Sequence, residues 1–140
     1  MITARKMAAA LLFSAALSLP VQAGGWLSGD TAGLNPALKA KLFQLHKAFD
    51  KPILITPHGG CRNHGSKRAP KSWHRRAVGC KAADVIISGV SRRAILSWWA
   101  RHVGGGRGFY CGRRFVHVDI GPNRTWSWYC GGRATRIARR

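Results

Sequence analysis

The stretch Phe115-Val116-His117-Val118-Asp119-Ile120-Gly121 carries the clearest strand pattern in the sequence. Apolar and polar residues alternate along it, as expected for a strand with one face toward a core. His117 and Asp119 therefore share the other face, because side chains two residues apart in a strand point the same way. A carboxylate in such an apolar setting needs a cation or hydrogen-bond donors. The stretch thus predicts that a cation or several hydrogen-bond donors lie beside Asp119.

A second segment repeats the combination of histidine and aspartate. Ser72-Trp73-His74 is followed by Gly79-Cys80-Lys81-Ala82-Ala83-Asp84, and the apolar run Val85-Ile86-Ile87 comes next. A hydrolytic zinc site uses three protein ligands and leaves a fourth position open. His74, Asp84 and His117 supply such a set. The alternative is that these histidines are ordinary hydrogen-bonded residues of the structure.

The composition restricts the classes of protein. The chain has 140 residues, 24 Lys and Arg, 4 acidic residues and a net charge of +20 at pH 7. The acidic residues are all aspartates, which excludes glutamate-dependent sites such as the HExxH metalloprotease motif. The charge favours a polyanionic partner: nucleic acid, an anionic membrane surface or the bacterial cell wall. The alternative is a solvated basic surface. The acidic residues are Asp30, Asp50, Asp84 and Asp119.

The N-terminal segment has the features of a secretory signal. Arg5 and Lys6 precede an apolar run of 13 residues, 7–19, which is shorter than the ~20 residues that span a bilayer. Pro20 ends the run, and Val21-Gln22-Ala23 forms a cleavage site. We expect residues 1–23 to be a signal peptide, with an uncleaved anchor helix as the alternative. The mature protein would then have no integral membrane segment and would lie in the periplasm or be secreted.

Export would place four cysteines where disulfides persist. Three pairings of Cys61, Cys80, Cys111 and Cys130 exist, and the sequence alone does not choose among them. We favour Cys61 with Cys80 and Cys111 with Cys130, since each pair closes a loop of moderate length, worth ~3 kcal/mol. A four-cysteine zinc site is the alternative, but the closely spaced cysteine pairs typical of such sites are missing.

The order helix, strand, loop, strand, helix and further strands predicts one α+β domain, an antiparallel sheet with helices packed on it. Asn35 and Pro36 begin a helix that runs to about Phe49, and Ser91 caps a second helix. Residues 24–35 are interpreted as an N-terminal arm, 36–132 as the domain and 133–140 as a basic tail. Strands are expected at residues 53–56, 82–87, 109–111, 115–120 and 125–129.

The motifs together resemble the M15 family of zinc D-Ala-D-Ala carboxypeptidases and murein endopeptidases, in particular the exported branch similar to murein endopeptidase K. The resemblance covers roughly residues 53–128 and includes Tyr110 and Trp126. It implies a hedgehog/DD-peptidase-like fold and a zinc ion held by His74, Asp84 and His117. It also implies hydrolysis of peptide bonds in peptidoglycan stem peptides or cross-links.

Two other functions remain open. One is a non-catalytic wall-binding module of the same fold, whose main support is the long spacing between His74 and Asp84. The other is nucleic-acid binding, which ranks last because it explains neither the signal peptide nor the buried aspartates. We therefore expect peptidoglycan rather than nucleic acid as the partner, and a monomer.

Nine residues separate His74 from Asp84, more than is usual in the family. A bulging loop held by Cys80 would still bring His74 to the metal; otherwise His58 or His64 takes its place, or the site is degenerate. The residues up to Arg62 resemble a substrate-binding turn of the family. The resemblance implies that Arg62 binds the substrate carboxylate or the developing oxyanion, the alternative being an ordinary surface arginine.

Peptide hydrolysis also needs a group that accepts a proton from water and returns it to the leaving amine. Without glutamate, and with Asp84 used as a ligand, Asp119 is the remaining aspartate near the motif. The family's usual position for this acid corresponds to Arg114 here. Asp119 is therefore predicted as the catalytic base, or else as the residue that orients a ligand imidazole. Trp126 and Trp128 share a face of their strand; we favour packing as their role, the alternative being a groove for sugar rings.

Overall fold

The computed structural model describes residues 25–130, which form two α-helices and six strands. The predicted signal peptide and basic tail lie outside the described residues. In chain order the elements are β1 (Leu27–Gly29), α1 (Pro36–Phe49), β2 (Ile53–Ile55), β3 (Ala82–Ile87), α2 (Arg92–His102), β4 (Gly106–Tyr110), β5 (Val116–Asp119) and β6 (Arg124–Trp128). Within this range no helix is long and apolar enough to cross a membrane.

Both helices begin at the capping residues that the sequence indicates. The Asn35 side chain accepts a hydrogen bond from the Ala37 N–H at 2.9 Å, with Pro36 in the first turn. The Ser91 hydroxyl accepts one from the Ala94 N–H at 3.1 Å. These bonds satisfy backbone donors that a helix start leaves free.

The strands form one mixed sheet in the order β1-β2-β3-β5-β4-β6. The three central pairs are antiparallel, but β1 lies parallel to β2 and β6 lies parallel to β4. The α+β fold is therefore confirmed, while the expectation of a wholly antiparallel sheet is wrong at both edges. At one edge α1 supplies the crossover that a parallel pair requires. At the other, the chain leaves β5 and passes to the far side of β4.

The expected N-terminal arm is partly a strand. Residues Leu27–Gly29 form β1, whose three residues are too short to show a period-2 pattern. The strand expected at residues 109–111 begins earlier, at Gly106, because the glycines at its start mask the strand pattern.

Both helices pack on one face of the sheet. Leu38, Leu42 and Leu45 of α1 are fully buried, as is Trp99 of α2. The sheet contributes Ala83, Val85, Val116 and Val118, the apolar half of the alternation in β3 and β5. The other half of that alternation points to the opposite face, which holds the candidate site.

Two disulfides join Cys61 to Cys80 and Cys111 to Cys130, as favoured from the sequence. The first closes the long segment between β2 and β3, and the second joins the ends of β4 and β6. Such bonds are typical of proteins in oxidising compartments.

We expect the free energy of unfolding to fall by a similar amount in two double variants, Cys111→Ser/Cys130→Ser and Cys61→Ser/Cys80→Ser. Both bonds span 19 residues, so the chain-entropy contribution of each is ~3 kcal/mol. Urea unfolding followed by tryptophan fluorescence measures the two losses, with each variant serving as the control of the other. Stability equal to that of the wild type in either variant would contradict the structural role of that disulfide.

Candidate metal centre

The site begins as a row of residues across four neighbouring strands. Asp84 of β3 pairs with His117 of β5, His117 pairs with Gly108 of β4, and Gly108 pairs with Trp126 of β6. Directly paired residues of a sheet project to the same face. The sheet alone therefore brings a carboxylate, an imidazole and an indole together on the face opposite the helices.

His74 reaches this row from the long segment between β2 and β3. The Lys81 N–H donates to the Trp73 carbonyl at 2.9 Å, so the chain returns beside its own start. The short 3₁₀ helix Arg76–Val78 takes up the extra residues, and the Cys61–Cys80 bond holds the end of the bulge. The loop thus places the His74 side chain beside Asp84 and His117, although nine residues separate His74 from Asp84 in the sequence. The alternative ligands His58 and His64 are exposed and stand outside the cluster.

Three side-chain atoms converge at the site. His74 Nε2 lies 3.0 Å from His117 Nδ1 and 3.4 Å from Asp84 Oδ1, and the latter two atoms are 3.1 Å apart. His74 is 1% exposed and His117 4%. The predicted ligand set is therefore assembled as a triangle at the floor of a cleft.

Neighbouring groups fix the proton of each imidazole away from this triangle. His74 Nδ1 lies 2.9 Å from the Gly60 carbonyl oxygen, which can only accept, so Nδ1 carries the proton. His117 Nε2 lies 2.9 Å from an Asp119 carboxylate oxygen and donates to it in the same way. The nitrogen of each neutral ring that faces the triangle is consequently a free lone pair.

Three lone-pair donors facing one another repel unless a cation or a shared proton lies between them. A tetrahedral zinc site with zinc–donor distances of 2.0–2.1 Å has ligand–ligand edges of about 3.3 Å, close to the separations seen here. In a chain with 24 Lys and Arg, no lysine or arginine of residues 25–130 pairs with Asp84, whose ionic partners there are the two histidines. The donor set fits a zinc ion.

The electrostatics of these side chains follow from the same contacts. Burial would raise the pKa of Asp84, but hydrogen bonds and charge from His117 and His74 hold that pKa well below its usual range. Burial would lower the pKa of His117, yet the Asp119 and Asp84 carboxylates raise it above its ordinary value. The site thus keeps its carboxylate ionised and favours positive charge between its members.

Asp119 lies behind His117, on the side away from the triangle. Its side chain is fully buried and accepts five hydrogen bonds: from His117 Nε2, from the backbone N–H groups of Gly106 and Gly121, and from two nitrogens of Arg124. Its link to the ligand triangle runs through the His117 ring. This geometry favours the orienting role over the role of catalytic base.

Two glycines of β4 make room for the site. A Cβ on Gly106 would lie 2.1 Å from an Asp119 carboxylate oxygen, and one on Gly108 would lie 2.7 Å from the Trp126 ring. The absent side chains allow the carboxylate and the indole to sit against the backbone of the strand. Trp126 in turn contacts His117, with ring centroids 4.9 Å apart.

The cleft above the triangle is lined by aromatic and basic side chains. Its aromatic lining consists of Trp73, Tyr110, Phe115, Trp126, Trp128 and Tyr129, and its basic lining of Arg62, Arg68, Lys71, Arg113 and Arg124. Asp84 is the one acidic residue among the lining side chains of the described range. Trp126 and Trp128 thus face the cleft as well as packing on each other, whereas Trp99 lies in the core.

Arg62 lies beside the ligand segment. Its backbone N–H donates to the His74 carbonyl at 2.8 Å, and its Nε is buried without an acceptor among the residues that the structure describes. Arg124 is a site residue that the sequence analysis missed. The turn between β5 and β6 brings its guanidinium back to Asp119, and an arginine five residues after the buried aspartate is the signal that would have found it.

We expect the free energy of unfolding of the metal-free protein to depend less on pH in the acidic range after the substitution Asp119→Asn. Burial raises the pKa of Asp119, but the His117 hydrogen bond and charge outweigh it and lower the value to about 2. A lowered pKa stabilises the folded state above the unfolded-state value of ~3.9, and this contribution vanishes as the pH falls toward 2. The gap between wild type and variant should therefore narrow by roughly 2 kcal/mol from pH 5 to pH 2.

Urea unfolding of the chelator-treated proteins at several pH values measures this gap. A gap that stays constant over that range would contradict the assigned contacts of the carboxylate.

One comparison with known proteins bears on this site. The family profile described as Peptidase M15 matches residues 16–119, more than half of the chain. The matched range contains the three candidate ligand residues and Asp119. No curated protein and no solved structure matches the chain. The profile match and the His–Asp–His triangle agree, and the chain belongs to the peptidase M15 family.

Proposed function

We propose that the protein is an exported, zinc-dependent peptidase that hydrolyses peptide bonds in peptidoglycan stem peptides or cross-links. The observation that carries the proposal is the convergence of His74, Asp84 and His117 at the floor of an open, basic cleft. The motif resemblance to D-Ala-D-Ala carboxypeptidases and to murein endopeptidase K supports the choice of bond class.

His74 Nε2, His117 Nδ1 and an Asp84 oxygen would hold the ion. When bound, zinc supplies a Lewis acid that polarises the scissile carbonyl and lowers the pKa of a water molecule to ~7. The Gly60 carbonyl orients His74, and the Asp119 carboxylate orients His117, so each ring turns its other nitrogen toward the ion. Arg124 in turn fixes Asp119 through two hydrogen bonds. Such outer contacts hold ligand rings in place.

The charge of the cleft favours an anionic substrate. Five basic side chains line it against the single aspartate of the triangle, so the field at its mouth is positive. Peptidoglycan peptides carry free carboxylates at their ends and branches. The buried Nε of Arg62, beside His74, is suited to one of these carboxylates, since a guanidinium matches the geometry of a carboxylate.

The competing non-catalytic wall-binding module loses its main support. That support was the long spacing between His74 and Asp84, yet their side chains lie 3.4 Å apart. Nucleic-acid binding explains the charge but gives no role to the three converging ligand atoms. A hydrolase is therefore the function that the site supports best.

The metal prediction is one zinc per chain, with His117→Ala losing most of the metal and the activity together. The variant removes one of three ligands. Elemental analysis of the purified protein gives the occupancy, and mass spectrometry of digested muropeptides, cross-linked and uncross-linked, gives the activity and the bond cleaved. The matched control is His58→Ala, an exposed histidine of the preceding loop, which should keep both.

Full zinc occupancy in His117→Ala would contradict the ligand assignment. Zinc binding and wall binding without cleavage of any muropeptide bond would favour the non-catalytic module.

The substrate prediction concerns Arg62→Ala. Loss of a charge-assisted hydrogen bond costs about 1.5–3 kcal/mol, so we expect KM for substrates with a free carboxylate to rise about 10- to 100-fold. Steady-state kinetics on such a muropeptide and on its carboxamide measures the effect, which should be small for the carboxamide. Arg93→Ala, on the exposed side of α2, is the control. An unchanged KM in Arg62→Ala would remove Arg62 from the binding site.

A further inference from the structure

The hydroxyl of Tyr110 has a hydrogen that the protein leaves unused. Trp126 Nε1 donates to the Tyr110 oxygen at 3.2 Å. An indole nitrogen can only donate, so the phenol acts as the acceptor in this bond and its own hydrogen points elsewhere. Within residues 25–130, no atom accepts a hydrogen bond from it. The hydroxyl hydrogen is thus without an acceptor among the described residues.

This donor belongs to the same face as the metal triangle. Tyr110 comes two residues after Gly108 in β4, and Gly108 pairs with His117, so Tyr110 projects to the side on which His117 lies. The indole that binds its hydroxyl also contacts the His117 ring at 4.9 Å between centroids. Tyr110 and the three ligands line one cleft. A substrate over the triangle would therefore lie against the phenol.

The ring of Tyr110 is held firmly in position. It is 8% exposed and contacts Phe115 at 5.1 Å and Trp128 at 5.6 Å between ring centroids. The Trp126 indole that directs the hydroxyl occupies the space left by the missing side chain of Gly108. Burial, followed by the nearby Asp84 charge, raises the pKa of Tyr110 well above its ordinary value. The phenol therefore stays protonated and available as a donor.

We infer that Tyr110 is a catalytic residue whose hydroxyl donates a hydrogen bond to the oxygen of the scissile carbonyl as that carbon becomes tetrahedral. The inference rests on the proposed peptidase function. No covalent bond to the tyrosine forms and no proton leaves it. The negative charge that develops on the substrate oxygen strengthens the bond from a donor already in place. A fixed donor of this kind stabilises the transition state more than the bound substrate.

A purely structural tyrosine is the competing explanation, and Tyr110→Phe separates the two because it removes only the hydroxyl. We expect kcat on muropeptides to fall about 10²-fold with KM nearly unchanged, since removal of one oxyanion donor has effects of this order. Zinc content should equal that of the wild type. The control is Arg93→Ala, on the exposed side of α2 and outside the lining of the cleft, which should keep the kcat of the wild type.

A binding measurement gives a readout independent of turnover. A phosphinate pseudodipeptide of two D-alanines carries a tetrahedral anionic centre, whereas the D-Ala-D-Ala dipeptide has a planar carbonyl. Calorimetry with the zinc-loaded protein should show that Tyr110→Phe weakens phosphinate binding at least 10-fold and changes dipeptide binding less than twofold. Trp126→Phe, which keeps the tyrosine but removes its orienting donor, should give a smaller loss of phosphinate affinity.

The outcomes distinguish this inference from the function on which it rests. An active wild type with unchanged kcat and phosphinate affinity in Tyr110→Phe overturns the role of Tyr110 and leaves the peptidase intact. Equal weakening of dipeptide and phosphinate also overturns it, because the hydroxyl would then bind substrate and transition state alike. A wild type that cleaves no peptide and does not bind the phosphinate overturns both.

Discussion

The pairing of Asp84 with His117 across β3 and β5 is the contact on which the rest of the site depends. It places the carboxylate and the imidazole on one face while Val85, Val116 and their neighbours fill the core on the other. A slip of one residue would bury the ligands among the helices and expose the valines. The hydrophobic core therefore fixes the register of the candidate metal centre, and the two cannot be altered separately.

The parts of the fold that local patterns encode could be predicted. The Pro36 and Ser91 helix starts follow from capping chemistry, and strands β3 and β5 follow from alternation of apolar residues. The edge strand β6 is expected from the sequence at residues 125–129, but its place in the sheet is not, and β1 follows from neither kind of pattern. With only three residues, β1 is too short to show an alternation of apolar and polar residues. No local sequence pattern determines whether β6 pairs with β5 or with β4. Parallel pairing at the edges is decided by where the chain can travel, which is a long-range property.

The same division holds within the site. Residue types and motifs predicted that His74, Asp84 and His117 form one cluster, because few side chains bind zinc and the aspartates are scarce, and the structure brings the three together. Alternation placed Asp119 on the correct face but could not say on which side of the His117 ring its carboxylate lies. That depends on Arg124 and the Gly106 backbone, which arrive from other strands. The role of a side chain could therefore not be predicted where it depends on contacts with residues that are distant in the sequence.

The two glycines of β4 that make room for the site also lower the stability of that strand. A glycine inside a strand costs roughly 0.5–1 kcal/mol relative to alanine, and Gly106 and Gly108 occupy a strand with neighbours on both sides. At these two positions the sequence therefore has residues of low strand propensity, and the space that they leave is filled by Asp119 and Trp126. The cross-link between Cys111 and Cys130, at the end of this strand, offsets that loss. Reduction of this bond is then expected to weaken the strand that carries the floor of the cleft as well as to lower the stability of the whole fold.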